Sequence, residues 1–340
     1  MSWRVAPVAA AGDWEGPWDA LNAALYRAHP LFDSRFTAAL LACFGTGDER
    51  LAVRDGGTNG MVLLLPCRRG VYRTFLPSQL QAAPLLVAEA AALPSLLGAL
   101  GRGALAIDLL CQDTAYTPLD EGRADPTLAR SRHALTMNIA LDGDFDRYWG
   151  ERSANLRRNL RHYHNRLAAA GHEERLIRID TPDELPAAVA RYGAVEARGW
   201  KGKAGTAVTA SNRQGAFYAR MLAEFARTGQ ACAYEYWLDD RLAASRLLIS
   251  NDEIIVILKT TYDEELAALA PGRVLLHRIL QHEFTASPGK RVELYTNATA
   301  DQLRWATATR AIDHVTLYRN ALIARGHGWW QRQRERLAPA

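Results

Sequence analysis

Three long apolar stretches follow one another with only short polar turns between them: ACAYEYWL, then LAASRLLIS after Asp239-Asp240, then EIIVILKTTY after Asn251-Asp252. Runs of this length, rich in β-branched and aromatic residues and bounded by turn residues, read as strands, and the short turns make them an antiparallel meander. The segment that follows narrows the choice further. LAALAPGRVLLHRIL begins an amphipathic helix at Pro271-Gly272, and RVELYT beyond it is another strand. A strand reached through a helix lies parallel to the strand it left. A meander with one parallel addition implies an α+β fold: a mixed, mostly antiparallel sheet flanked by helices.

The helix start carries chemistry of its own. Pro271 fixes φ and has no N–H, and Gly272 lets a ligand approach the backbone closely. The amides of Gly272, Arg273 and Val274 are expected to be unpaired there, at the positive end of the helix dipole, with Arg273 adding a charge-assisted contact. A pyrophosphate fits this arrangement. A Pro-Gly pair that simply starts a helix fits it as well.

The rest of the chain divides in two. In the first part, HPLFDSRFTAALLACFG is a helix capped by Asp33 or Ser34, and RLAVRD and MVLLLPC form a hairpin across a Gly/Asn turn. VYRTFL adds a third strand, followed by a helix over 89–100 and the strand ALAIDLL. A second unit opens with HALTMNIAL; ANLRRNLRHYHNRLAAAG is helical, with Leu156, Leu160, Tyr163 and Leu167 on one face. Asp183 and Pro186 open another helix that ends near Gly199, and a short helix near Leu303 and the strand HVTLYR come last. The expected boundary is 1–132 and 133–340. Both halves run from helix to meander, which points to a duplicated fold.

Composition excludes several classes. A net charge of +4, with 49% hydrophobic and 23% charged residues, is ordinary for a globular protein and too mild to imply DNA binding. No apolar run approaches the ~20 residues of a membrane span, and VAPVAAA is too short for a signal sequence. Cys43, Cys67, Cys111 and Cys232 are scattered without a CxxC pair, as expected of buried thiols in a reducing compartment. The expectation is a cytoplasmic protein with no metal: His162 and His164 face different ways on their helix, and HExxH and GxSxG are absent.

Glu196 is the odd member of an apolar helical stripe made by Leu185, Val189 and Tyr192. A desolvated carboxylate there has a raised pKa and can deprotonate an amine; it can equally pair with an Arg or cap the amides of the GWKGKAG loop. That loop is either a lid over an acceptor, through Trp200, or a plain Gly-rich connection. Arg157, Arg158 and Arg161 make a solvated helix face, or a grip for phosphates.

The ordered stretches PLFDSRFTAALLACFG, RSANLRRNLRHY, EARGWKGKAGTA and TTYDEELAALAPG resemble the GCN5-related N-acetyltransferase (GNAT) superfamily. Within it the chain is similar to the CelD-like branch associated with cellulose and exopolysaccharide biosynthesis, itself related to the FemABX transferases. The resemblance covers most of the chain and implies two tandem GNAT-like domains, the N-terminal one non-catalytic. It implies acetyl-CoA or another acyl-CoA as co-substrate, with the pyrophosphate on Gly272, Arg273 and Val274 beside Ala270 and Pro271. The pantetheine would run along Lys259, Thr260 and Thr261. An amine acceptor (sugar, amino acid, peptide or polyamine) would meet Trp200, Lys201 and Tyr262. Glu196, Asp263 or Glu264 would be the general base, and Tyr318 or Tyr295 would protonate the leaving thiolate. The sequence departs from the family pattern where Ala267 stands for the leading basic residue of the phosphate signature and Gln302 for a Lys. Two alternatives stand beside this: a FemX-like transferase using aminoacyl-tRNA on the Arg157 helix, and a GNAT-like scaffold without activity.

Overall fold

The computed structural model describes residues 2–119, 125–199, 205, 207–209 and 211–326. The chain forms two compact units. The first is drawn from Met1–Thr37, Phe44–Leu135 and Arg310–Ala340; the second from Ala38–Cys43 and Thr136–Thr309. Among the described residues no helix is long and apolar enough to cross a membrane.

The first unit opens with β1 (Trp3–Pro7) and α1 (Glu15–Tyr26); α2 (Ser34–Phe44) comes next in the chain, and its residues Ala38–Cys43 are counted with the second unit. Strands β2 (Arg50–Arg54), β3 (Gly60–Arg68) and β4 (Val71–Thr74) are a meander, antiparallel throughout, and β5 (Leu86–Val87) pairs with β3. The chain then passes through α3 (Leu93–Ala99) to β6 (Ala106–Asp113), which lies parallel to β4. The last strand, β13 (Ala308–Tyr318), is antiparallel to β6. The sheet order is β1-β2-β3-β4-β6-β13.

The second unit repeats this plan with longer strands. Met137–Ala140, at the end of β7 (Leu128–Ala140), leads into α4 (Phe145–Gly150) and α5 (Ala154–Ala170). Then come β8 (Glu174–Ile179), α6 (Leu185–Arg198) and α7 (Arg213–Ala226). The expected meander is present as β9 (Ala231–Leu238), β10 (Arg241–Ser250) and β11 (Ile254–Tyr262), with β8 as a further antiparallel strand on its outer edge. Helix α8 (Pro271–Ala286) crosses to β12 (Arg291–Leu294), which lies parallel to β11, and β12 pairs antiparallel with β7. In both units one parallel pair, reached through a helix, interrupts an antiparallel sheet. The mixed, mostly antiparallel sheet flanked by helices is the expected fold class.

One boundary differs from the sequence expectation. A division at 132/133 puts everything after it in the second domain, but the chain from Arg310 clusters with the first unit. The cause is strand pairing and buried charge: Ile312–Tyr318 is in register with Ala106–Asp113, and the Arg310 guanidinium holds the buried Asp113 carboxylate by two bonds of 2.7 Å.

The second unit's core explains where its helices sit. Side chains of β9 alternate between faces: Tyr234 and Tyr236 reach partners on α8 and β8, while Glu235 reaches Arg191 on α6. So α8 covers one face, and α6 with α7 covers the other. Helix α8 buries Val274, Leu275, Leu276, Ile279, Leu280 and Phe284, each contributing about 1.5–3 kcal/mol relative to exposure. Trp305, Tyr148 and Leu160 complete that core.

Candidate functional site

Strand β11 is where the sheet opens. It pairs in parallel with β12 only over Ile254–Val256 against Arg291–Glu293. Toward its end the register with β10 shifts, from Leu248↔Ile257 to Leu247↔Lys259, so Leu258 is the extra residue of a β-bulge. A bulge sharpens the local twist and bends the strand. Beyond it, among the described residues, no strand pairs with the β12 side of β11.

The backbone on that open side can be assigned. The Asp263 amide donates to the Ala243 carbonyl at 2.8 Å. Antiparallel ladders repeat every second residue, so the amides of Thr261 and Lys259 also turn toward β10. Those of Thr260 and Tyr262 therefore turn the other way, into the opening.

A cavity of about 420 Å³ fills this opening on the α8 face. Its apolar wall is Met137, Leu276, Leu294 and Trp305; its rim is the first turn of α8, with Ala267, Ala270, Gly272 and Arg273; Thr260 and Tyr262 close it along β11. A second, smaller cavity of about 60 Å³ lies between β11 and α6, lined by Val195, Glu196, Gly199, Thr261 and Glu264, and again by Thr260 and Tyr262. The two cavities share the Thr260–Tyr262 edge.

The helix start is only partly as expected. Ala270 adopts a left-handed φ of 49°, and its carbonyl accepts from both Arg273 (2.9 Å) and Val274 (3.1 Å). Of the three amides expected to be unpaired, only that of Gly272 is not drawn to Ala270. The Arg273 side chain lines the cavity while bonded to Asp301 at 3.1 Å and to the Tyr163 hydroxyl at 3.0 Å. Gln302, in place of the family's Lys, also lines the cavity, but its side chain closes a capping box with Thr299.

The acidic candidates separate by environment. Glu196 is buried, and its carboxylate accepts from the Tyr192 hydroxyl at 3.0 Å and the Val208 amide at 2.7 Å. Burial, and the Glu196 charge after it, push the Tyr192 hydroxyl well above its ordinary pKa. Asp263 is buried too, but Arg198 (3.2 Å) and Arg241 (2.8 Å) hold one oxygen, and the other caps the Glu265 amide. These contacts anchor the strand end. Glu264 is exposed and packs against Gly199, where an added Cβ would lie 2.5 Å from its carboxylate oxygen. Tyr262 is 43% exposed, at the shared edge. Tyr295 is buried just past β12. Tyr318 belongs to the first unit, opposite Ala106 on β6. Lys259 packs its ammonium over the Tyr218 ring at 5.6 Å and is turned to the α6 face. Trp200 and Lys201 lie outside the described residues.

Sequence reasoning missed Arg246. It sits on β10 directly opposite Thr260 and lines the larger cavity. It is only 6% exposed; its Nη2 donates to the Gly272 carbonyl at 3.3 Å, and its Nε and Nη1 have no partner among the described residues. Burial pushes its pKa down to about 10, with Tyr192 opposing that shift. The signal in the sequence was one Arg inside the otherwise apolar strand LAASRLLIS.

In the first unit, ligand atoms of Cys111, His133 and His314 lie within 4.8 Å of one another. The Cys111 amide, however, donates to His314 Nδ1 at 3.0 Å. That bond puts the ring proton on Nε2, so neither nitrogen of His314 offers a free lone pair to an ion.

The acetyltransferase (GNAT) domain model matches residues 154–328, just over half of the chain. The chain belongs to this family. It is an acyltransferase, and every lining residue of the two cavities except Met137 falls within the matched residues. Three solved structures share the fold. One is the C-terminal domain (DUF2156) of a putative lysylphosphatidylglycerol synthetase from Agrobacterium fabrum, at 14% identity and TM-score 0.54, covering 86% of this chain and 93% of that one. FemX is similar at 11% identity and TM-score 0.57, covering 88% and 95%. A conserved protein of unknown function from Bacteroides thetaiotaomicron VPI-5482 matches at 12% identity and TM-score 0.54, covering 89% and 97%. At such identities the likeness is of fold. No curated protein matches the sequence.

Proposed function

We propose that this GNAT domain transfers an acyl group from acyl-CoA, acetyl-CoA in the simplest case, to an amine by direct attack on the thioester. The observation that carries this is the shared edge: a cavity on each side of Thr260–Tyr262, with an outward amide between them. The pyrophosphate would lie at the Gly272 amide and Arg273, and the pantetheine along Met137, Leu276 and Leu294. The thioester carbonyl would accept from the Thr260 amide, which favours the charge that develops on oxygen.

The acceptor amine enters from the α6 side. Its lone pair forms the N–C bond as the C–S bond breaks, and CoA leaves as the thiolate. The ammonium proton passes to Glu196, with Glu264 as the other carboxylate on that cavity. The thiolate takes a proton from a hydroxyl near the shared edge; Tyr262 is on it, and Tyr295 is next to Leu294. Asp263 holds the edge in place through Arg198 and Arg241. The resemblance to the CelD-like branch, on the motifs quoted above, supports a sugar amine of the exopolysaccharide type among the amine acceptors.

The test is acyl-CoA binding followed by thermal unfolding. At about a hundred times the dissociation constant a ligand adds about 2.7 kcal/mol. Gly272→Ala should still bind, since its Cβ would meet only Tyr262 at 3.6 Å, an ordinary contact. Gly272→Asp, which sets a carboxylate on the phosphate position, should not. Absence of a shift with acetyl-CoA, CoA or longer acyl-CoA would overturn this reading. Salt-sensitive tRNA binding lost on Arg157/Arg158→Glu would instead favour a FemX-like donor.

A further inference from the structure

The mechanism above uses the Gly272 amide, Arg273 and the Thr260 edge, and leaves Arg246 without a task. A buried guanidinium with two unpaired nitrogens is costly for a fold to keep, because desolvation is not offset by a counter-charge. The charge becomes favourable when an anion completes it. Arg246 lines the cavity, so that anion can arrive with a ligand.

The position of Arg246 says which part of the ligand it meets. Among the described residues its one bond is to the Gly272 carbonyl. Helix carbonyls point toward the C-terminus, so the guanidinium sits inward of the first turn, on the opposite side from the amides that face a pyrophosphate. On β10 it is directly opposite Thr260, and facing side chains of an antiparallel pair stand about 5 Å apart at Cβ. The group it meets is therefore next to the thioester carbonyl, at the acyl end of the ligand. Around it the walls are apolar: Met137, Leu276, Leu294 and Trp305. Of the other charged lining groups, Arg273 and Asp301 already satisfy each other at the rim.

We propose that Arg246 is the specificity determinant for an acyl group that itself ends in a carboxylate, so that the donor is the CoA thioester of a short dicarboxylic acid. This rests on the acyl-CoA reading and names the substrate class within it. A carboxylate accepts two parallel N–H bonds from a guanidinium fork, and the second N–H of Nη2 completes such a fork with either of the unpaired nitrogens, Nε or Nη1. An acetyl group leaves both nitrogens unpaired.

The experiment compares malonyl-CoA, succinyl-CoA, acetyl-CoA and CoA by calorimetric titration into the full chain and into Arg246→Met and Arg246→Lys. Wild type should bind one or both dicarboxylic thioesters at least tenfold more tightly than acetyl-CoA. Arg246→Met, similar in length and without the charge, should bind all four within a factor of about three. It should also unfold at a higher temperature, which shows that lost discrimination is not lost folding. Arg246→Lys should keep part of the preference. Equal binding of acetyl-CoA and the dicarboxylic thioesters by wild type overturns the proposal and leaves the acyl-CoA reading intact. So does an equal loss of all four ligands in Arg246→Met, which would assign the guanidinium to a CoA phosphate. If no CoA species binds wild type, both fall together.

Discussion

Glu196 accepts hydrogen bonds from the Tyr192 hydroxyl and from the Val208 amide, so its structural and chemical tasks can be separated by substitution. Glu196→Gln keeps an acceptor for the Val208 amide and removes the ability to take a proton. It should lower kcat by about 10²–10⁴-fold, the usual worth of a general base, with little change in melting temperature. Glu196→Ala leaves the Val208 amide and the Tyr192 hydroxyl buried without that partner, and should in addition cost about 1–3 kcal/mol of stability. Full activity in Glu196→Gln would move the base to Glu264. His277, on the buried face of α8 against Phe145 and Trp149, sets a pH dependence. Burial first, then the charges of His164 and Arg278, push its pKa down to about 4. In the unfolded chain it titrates near ~6.5. Between these values the unfolded state binds the extra proton, so stability falls by up to about 3 kcal/mol as pH drops from ~6.5 toward ~4, and the contribution is constant above that window. Urea midpoints measured across the window should show a shallower slope in His277→Phe; an unchanged slope contradicts the assignment.

At the scale of elements, the site depends on how closely α6 approaches the segment at Val208. An added Cβ on Gly193 would lie 2.4 Å from the Val208 carbonyl oxygen, which is backbone and cannot rotate away. Gly193→Ala should push that segment off the helix at about 1–3 kcal/mol and pull the Val208 amide from Glu196, so activity and melting temperature fall together. A variant with wild-type values of both would show that the contact is not needed. The elements themselves differed in how well they could be read. The meander of β9–β11 and the crossover α8 were legible because their apolar runs are long and their turns polar. The bulge at Leu258 was not, since one extra residue inside IIVILKTTY leaves no mark in composition. Strand β8 was missed because it is an edge with half-exposed Leu176 and Ile177, so its two faces do not alternate clearly. Helix α7 did carry a signal: Asn212 caps it through the Gly215 amide at 2.9 Å, and Phe217, Met221, Leu222 and Phe225 share a face. Candidate residues could be singled out in the sequence where chemistry stands out from its surroundings, as with the buried Glu196 and with Gly272 on the cavity rim. The roles expected of Asp263 and of the Arg273 and Val274 amides were not, because arginine pairing and the left-handed turn at Ala270 arise only once the chain is folded.

At the scale of the molecule, the same order of strands recurs in both units: a meander, a helical crossover, a parallel strand, then an antiparallel one. The units differ where it matters for chemistry. The crossover of the first unit uses the seven-residue α3 after the four-residue β4, whereas the second uses the sixteen-residue α8 after the nine-residue β11. Only the longer strand outruns its parallel partner and bends through a bulge to leave an opening, and on that ground the proposed acyl-CoA site is in the second unit. Amide hydrogen exchange over the whole chain, with and without saturating acetyl-CoA or succinyl-CoA, tests this claim most directly. The account predicts slowed exchange confined to the end of β11, around Thr260–Tyr262, and to the first turn of α8 at Gly272. Binding with unchanged exchange at both places, or protection centred on the first unit, would contradict it.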